Sequence, residues 1–239
     1  SKIIYLNFKK IILYKEPALP EIDIKQLTDF LEDNFPFKIE IKGNIFKELS
    51  IENINKLSKS RVTDIKNPFS VHESSDNEFE FEKKLCQDSS LMNSTTKVED
   101  AQEISQVFMY DGFELQKILR YLNDNNETLH IILTNRLTCT FDEKDERYHA
   151  RAVICANPAI ISTTGIIEAP AKPKEYYFEV MALKAQGLDK KTAKEKYKEK
   201  FLEYNDERLI ITQGSLLKKL PYDNNSFDYI TINQVIHHL

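Results

Sequence analysis

His149 holds the best position in the chain for acid–base chemistry. It opens the run HARAVICA (residues 149–156), one residue after the charged loop DEKDER of residues 142–147. An imidazole there would transfer protons, and strand ends beside loops are common catalytic positions. Arg147 and Arg151 flank it. The alternative is a histidine hydrogen-bonded to backbone at a strand start. Glu168 precedes Ala169-Pro170, and Pro170 with Pro173 stiffens this turn, so a preorganised Glu168 could serve as a general base. Its plainer role is an ion pair with Arg147 or Arg151. The expectation is that Arg147, His149, Arg151 and Glu168 converge on one cleft as the catalytic cluster.

A metal centre is the second chemistry to weigh. Fifteen residues separate Cys139 from Cys155, and His149 lies within that gap. Three such ligands could hold zinc if two strands brought them together. No C-x-x-C pair supports this, and a lone cysteine on a strand is more often a small core hydrophobe. Ser162, Thr163 and Thr164 beside Gly165 could cradle an anion with hydroxyls and amides, or simply form a turn. His237 and His238 are adjacent and so point apart.

The elements that position these residues read as α/β, a mixed sheet flanked by helices. Residues 3–8 (IIYLNF) read as the first strand. Asp23 with Gln26 marks a helix start, carrying Ile24, Leu27, Phe30 and Leu31 on one face, and Phe35-Pro36 ends it. Residues 37–42 (FKIEIK) alternate with period two, completing a strand–helix–strand unit. Ser50 caps a short helix with Ile51, Ile54 and Leu57 on its buried side. From 71 to about 97 the periodicity collapses into an acidic tract, read as a mobile insertion or solvated edge.

Thr96 with Glu99 forms a capping box for a helix carrying Val98, Ala101, Ile104 and Phe108. Asp111 with Glu114 caps the next one. Residues 129–134 (LHIILT) suit a strand buried on both faces. Residues 149–156 read as one strand and 159–163 resume the sheet. Tyr177, Val180 and Met181 lie on a helix that Gly187 ends. Asp189 starts a lysine-rich helix with Ala193, Tyr197 and Phe201 inward. Residues 3–8, 37–42, 129–134 and 152–156 are expected in one sheet.

The stretch RYHARAVICANPAIISTTGIIEAPAKPKEYY, residues 147–177, resembles an archaeal family provisionally classed as metallopeptidases. The looser resemblance covers residues 1–205 and implies a hydrolase, with a zincin-like fold as one form of the α/β class. Zincins carry two histidines one helical turn apart around a general-base glutamate. No H-E-x-x-H occurs in this chain.

Residues 213–239 (QGSLLKKLPYDNNSFDYITINQVIHHL) resemble the middle of a class I S-adenosylmethionine-dependent methyltransferase, a partial Rossmann-like tail. The resemblance implies cofactor contacts at Gly214, Ser215 and Leu216. Ser215 stands where that family carries an acidic residue, and none of the five glycines forms a G-x-G. The isolated chain is therefore expected not to bind S-adenosylmethionine tightly. The alternatives to a metallopeptidase-family protein are thus a methyltransferase and a non-catalytic binding or scaffold protein.

Composition sets outer limits. The 239 residues suit one large domain, or one domain with a piece of another, divided here at 205/206. The formal charge of −5 and the absence of a dominant basic patch do not indicate a nucleic-acid binder. No apolar run approaches a membrane span, so no membrane partner is expected. Three cysteines fit a reducing cytoplasm. The start at Ser1 and the stop inside an apolar segment hint at a fragment, although a processed Met would also explain the start. The substrate is open.

Overall fold

The computed structural model describes residues 8–17, 22–67, 72–90, 108–123, 125–170 and 172–200. Strand β1 (Lys10–Lys15) buries four consecutive residues, Ile11 to Tyr14. It follows the expected first strand, which lies outside the described residues except for Phe8. Helix α1 (Ile24–Asn34) begins where the Asp23 carboxylate accepts from the Lys25 and Gln26 amides, and it ends at Phe35 before Pro36. Strand β2 (Lys38–Lys42) then pairs parallel to β1.

Ser50 caps α2 (Ile51–Lys59) by accepting from the Asn53 amide. Ile54 and Leu57 face inward as expected, but Ile51 is 69% exposed. Burial on this helix begins only at its second turn, so the inward-facing angle at Ile51 meets no neighbour.

The acidic tract is more ordered than its composition implies. Residues 76–87 form α3 (Asp76–Gln87), opened by a complete capping box between Ser75 and Glu78. Phe79 packs on the core and Glu82, Leu85 and Cys86 are buried, a spacing that lines one helical face. The collapse of periodicity is only apparent, because a buried glutamate occupies a core position. The helix expected from Val98 to Phe108 lies outside the described residues except for Phe108. Strand β3 (Met109–Asp111) leads into α4 (Gly112–Leu119), which Asp111 caps through the Phe113 and Glu114 amides.

Strand β4 (Thr128–Thr134) is buried at every residue. Strands β5 (Leu137–Asp142), β6 (Arg147–Arg151), β7 (Val153–Ile154) and β8 (Ala159–Ser162) follow, and then α5 (Thr163–Glu168). Two mixed sheets result, ordered β2-β1-β4-β8-β7 and β3-β5-β6. All pairs in the larger sheet are parallel except β7 with β8; in the smaller, β5 and β6 are antiparallel. One face of the larger sheet packs on α1 through Ile11, Leu13, Ile131 and Leu133. The other packs on α2, α3 and α4 through Ile12, Tyr14, Ile132 and Ile160.

Residues 149–156 are not one strand. The chain leaves the small sheet at Arg151 and enters the large one at Val153. The Ser162 amide donates to the Ala152 carbonyl at 2.7 Å. A Cβ on Gly165 would come within 2.2 Å of the Arg151 carbonyl oxygen, so α5 crosses the junction at backbone contact. Of the four segments expected in one sheet, 37–42, 129–134 and 152–156 contribute strands to the larger one.

Helices α6 (Lys174–Ala185) and α7 (Lys191–Tyr197) form a hairpin turned at Gly187, whose φ is +69°. Tyr176, Val180 and Leu183 pack against Ala193 and Tyr197. Tyr177 and Met181, on the same helix as Val180 as expected, lie in solvent at 50% and 67% exposure. The inward stripe is set by α7, which meets the other side of the helix. No helix among the described residues is long and apolar enough to cross a membrane.

Candidate functional site

The antiparallel register of β5 and β6 sets Thr140 opposite His149 and Asp142 opposite Arg147. Since alternate side chains share a face, Arg147, His149 and Arg151 line one side of the small sheet with Thr140 and Asp142. Arg151 Nε donates to Thr140 Oγ1 at 2.8 Å, and His149 Nε2 lies 2.9 Å from Asp145 Oδ2. The Lys144 and Asp145 amides, with weaker help from His149 and Arg151, hold the Asp142 carboxyl below its ordinary value. Arg147 is exposed. Glu168 ends α5, which packs on both β5 and β6, and is half-buried.

The three expected zinc ligands are not brought together. Cys139 pairs with Ala150 in register, which puts it on the opposite face of the sheet from His149. Its buried thiol donates to the Tyr110 carbonyl at 3.2 Å, and burial pushes its pKa up. Cys155 is exposed beyond β7. The hydroxyls of Ser162 and Thr164 do not cradle an anion. They donate at 2.6 Å to the carbonyls of Arg136 and Asn135, and Thr163 points to the Thr134 carbonyl at 3.4 Å. Residues 214–216 lie outside the described residues.

The densest polar cluster is one the sequence pattern does not announce. From β1 the chain passes by α1 to β2 on one side, while β4 and β8 extend the sheet on the other. The strand order therefore reverses between β1 and β4, and in open α/β sheets such a switch point opens at the carboxyl ends of the strands. Glu16 follows β1 there, and Asn135 and Arg136 follow β4. Arg136 is fully buried and pairs with Glu16 and with Glu82, the latter at 3.1 Å. Glu82 also accepts from Arg61 Nε at 3.0 Å and from the Tyr110 hydroxyl at 2.8 Å. Thr134 Oγ1 and the Asn135 amide donate to Glu16.

Two arginines and two glutamates thus balance their charge away from water. The Arg136 guanidinium lies 4.0 Å from the Phe46 ring centroid, and that of Arg61 lies 4.5 Å from Phe108. Burial opposes the charge on Arg136, yet the Glu16 and Glu82 carboxylates outweigh it and raise its pKa. With charged hydrogen bonds on several sides, the cluster acts as a clamp joining α3 to the strand ends. One sequence signal points to it: charged residues stand within two positions of the end of two apolar strands.

Fold and clamp define a layered α/β protein whose sheet reverses order beside a buried charge network. The chain belongs to the family described as Probable metallopeptidase family (DUF6775), whose model matches residues 7–226. That match runs past residue 205 into the segment that resembles a methyltransferase, a resemblance that no comparison supports. No curated protein and no solved structure matches the chain.

The family's description implies a metal, and the described residues do not fit one. His72 lies 2.9 Å from Glu78, His130 stacks on Tyr14, and His149 faces Asp145. Among the described residues no three His, Cys, Asp or Glu side chains come together in a way that could hold a metal ion.

Proposed function

We propose that this chain is a peptide hydrolase of the metallopeptidase class. The family match over residues 7–226 carries the reading. Among the described residues, the face of β6 offers the groups for handling a substrate. Side chains on one face of a strand recur at about 6.6–6.8 Å, which is also the two-residue repeat of an extended peptide. Arg147 and Arg151 on β6 therefore suit carbonyl or carboxylate groups spaced along such a peptide.

His149, with Asp145 Oδ2 at 2.9 Å but no aligned hydrogen bond on its buried Nε2, is the first proton carrier in this reading. Glu168, on the helix packed against β5 and β6, is the second proton carrier in this reading. Among the described residues no cluster of side chains would hold the metal of that class.

The test is cleavage of a defined peptide mixture by the full chain, read by mass spectrometry with zinc and then with a chelator. Cleavage should stop with the chelator. His149→Ala should lower it by about a hundredfold or more without moving the thermal midpoint. Absence of cleavage would overturn the hydrolase reading, and chelator-insensitive cleavage would overturn the metallopeptidase class.

A further inference from the structure

Helix α6 carries apolar side chains on two sides, and α7 covers one. On the other, Lys174, Tyr177, Phe178, Met181 and Ala185 follow the i, i+3, i+4, i+7, i+11 spacing that ordinarily faces a core. Phe178 is 69% exposed, and Tyr177, Met181 and Leu188 are each half-exposed or more. Lys174 and Lys184 stand at the two ends of this patch on the same face. Residues 172–200 hold nine lysines, no arginine and five acidic residues, a net of +4 in a chain whose total is −5.

We infer that the α6–α7 hairpin docks on the surface of an anionic lipid bilayer, independently of the hydrolase reading. Large apolar side chains rimmed by lysine enter the headgroup layer to a shallow depth, while the lysines gain from anionic headgroups. Tyrosine belongs at that same level, with its ring in the apolar zone and its hydroxyl in water. A second copy is a poorer occupant, since an antiparallel pairing of α6 would set Lys174 against Lys184 and bring two net-positive hairpins together. Nucleic acid is poorer too. No arginine in residues 172–200 offers the bidentate fork that phosphates and bases favour.

Flotation of the full chain with vesicles tests this. The chain should float with phosphatidylglycerol–phosphatidylcholine vesicles, stay behind with pure phosphatidylcholine, and be released by salt. The doubly substituted Phe178→Ser, Met181→Ser chain should partition at least about tenfold less with unchanged circular dichroism, because both side chains already lie in solvent. Lys174→Glu with Lys184→Glu should weaken flotation in the same direction. The proposal fails if anionic vesicles do not carry the chain, or if either doubly substituted chain floats as well as the parent. It also fails if sedimentation shows a dimer that the Phe178 and Met181 substitutions dissolve.

Discussion

Replacing Arg136 by methionine tests the clamp most directly. The substitution keeps the apolar stem and removes the guanidinium that lies over Phe46 and joins Glu16 to Glu82. Both carboxylates are at most 1% exposed, so neither can recover water without opening the core. Breaking a buried pair by removing one partner costs roughly 3–5 kcal/mol. Here Glu82 keeps Arg61 and the Tyr110 hydroxyl, and Glu16 keeps Thr134 and the Asn135 amide. The expected loss is therefore near the lower end, about 3 kcal/mol, a large share of the 5–15 kcal/mol typical of a folded domain.

Urea unfolding followed by circular dichroism measures it. Removing Glu16 as well, as Glu16→Met with Arg136→Met, leaves Glu82 with Arg61 as a balanced pair. The double substitution should cost less than the sum of the singles, with a coupling of about 1 kcal/mol or more. A loss under about 1 kcal/mol for Arg136→Met, or strictly additive costs, would show that the network does not hold the fold together.

Other outcomes follow from the same geometry. A thiol reagent on the native chain should modify the exposed Cys155 quickly and spare Cys86 and Cys139; burial pushes the Cys86 thiol up to about 12. Fast labelling of all three would show an open core. Burial likewise raises Cys86 from an ordinary value of 9.0 and Tyr110 from 10.0, so the unfolded chain releases these protons first. Stability from these groups is then complete below pH 9.0 and falls as pH rises above it, and Cys86→Ala should make that fall shallower in urea melts. Gly165→Ala should cost about 1–3 kcal/mol, because its methyl meets the Arg151 carbonyl, whereas Gly43→Ala meets nothing within 4 Å. Equal melting temperatures for these two variants would refute the close crossing of α5.

Local chemistry was legible along the chain wherever it acts over a few residues. Asp23, Ser50 and Asp111 cap their helices through amides two or three residues ahead, so their types and spacing suffice to find them. The wholly apolar run at β4 and the alternation at β2 identify themselves in the same way. Side-chain alternation, however, reads the same whether residues 149–156 form one strand or two. Only the packing of α5 and the Ser162 amide against the Arg151–Ala152 junction splits them.

Glu82 is one acidic residue among several in its tract. It becomes a core residue because Arg61 and Arg136, distant along the chain, reach it in space. The same holds for α6, whose two apolar sides differ only in which one α7 meets. The sequence by itself determined the capped helices and the apolar strands, since caps and periodicity act over single turns, but not α3 or the break at Ala152. The tertiary structure alone decided which charges are buried and which apolar face is left in water, because burial depends on partners that no local pattern names.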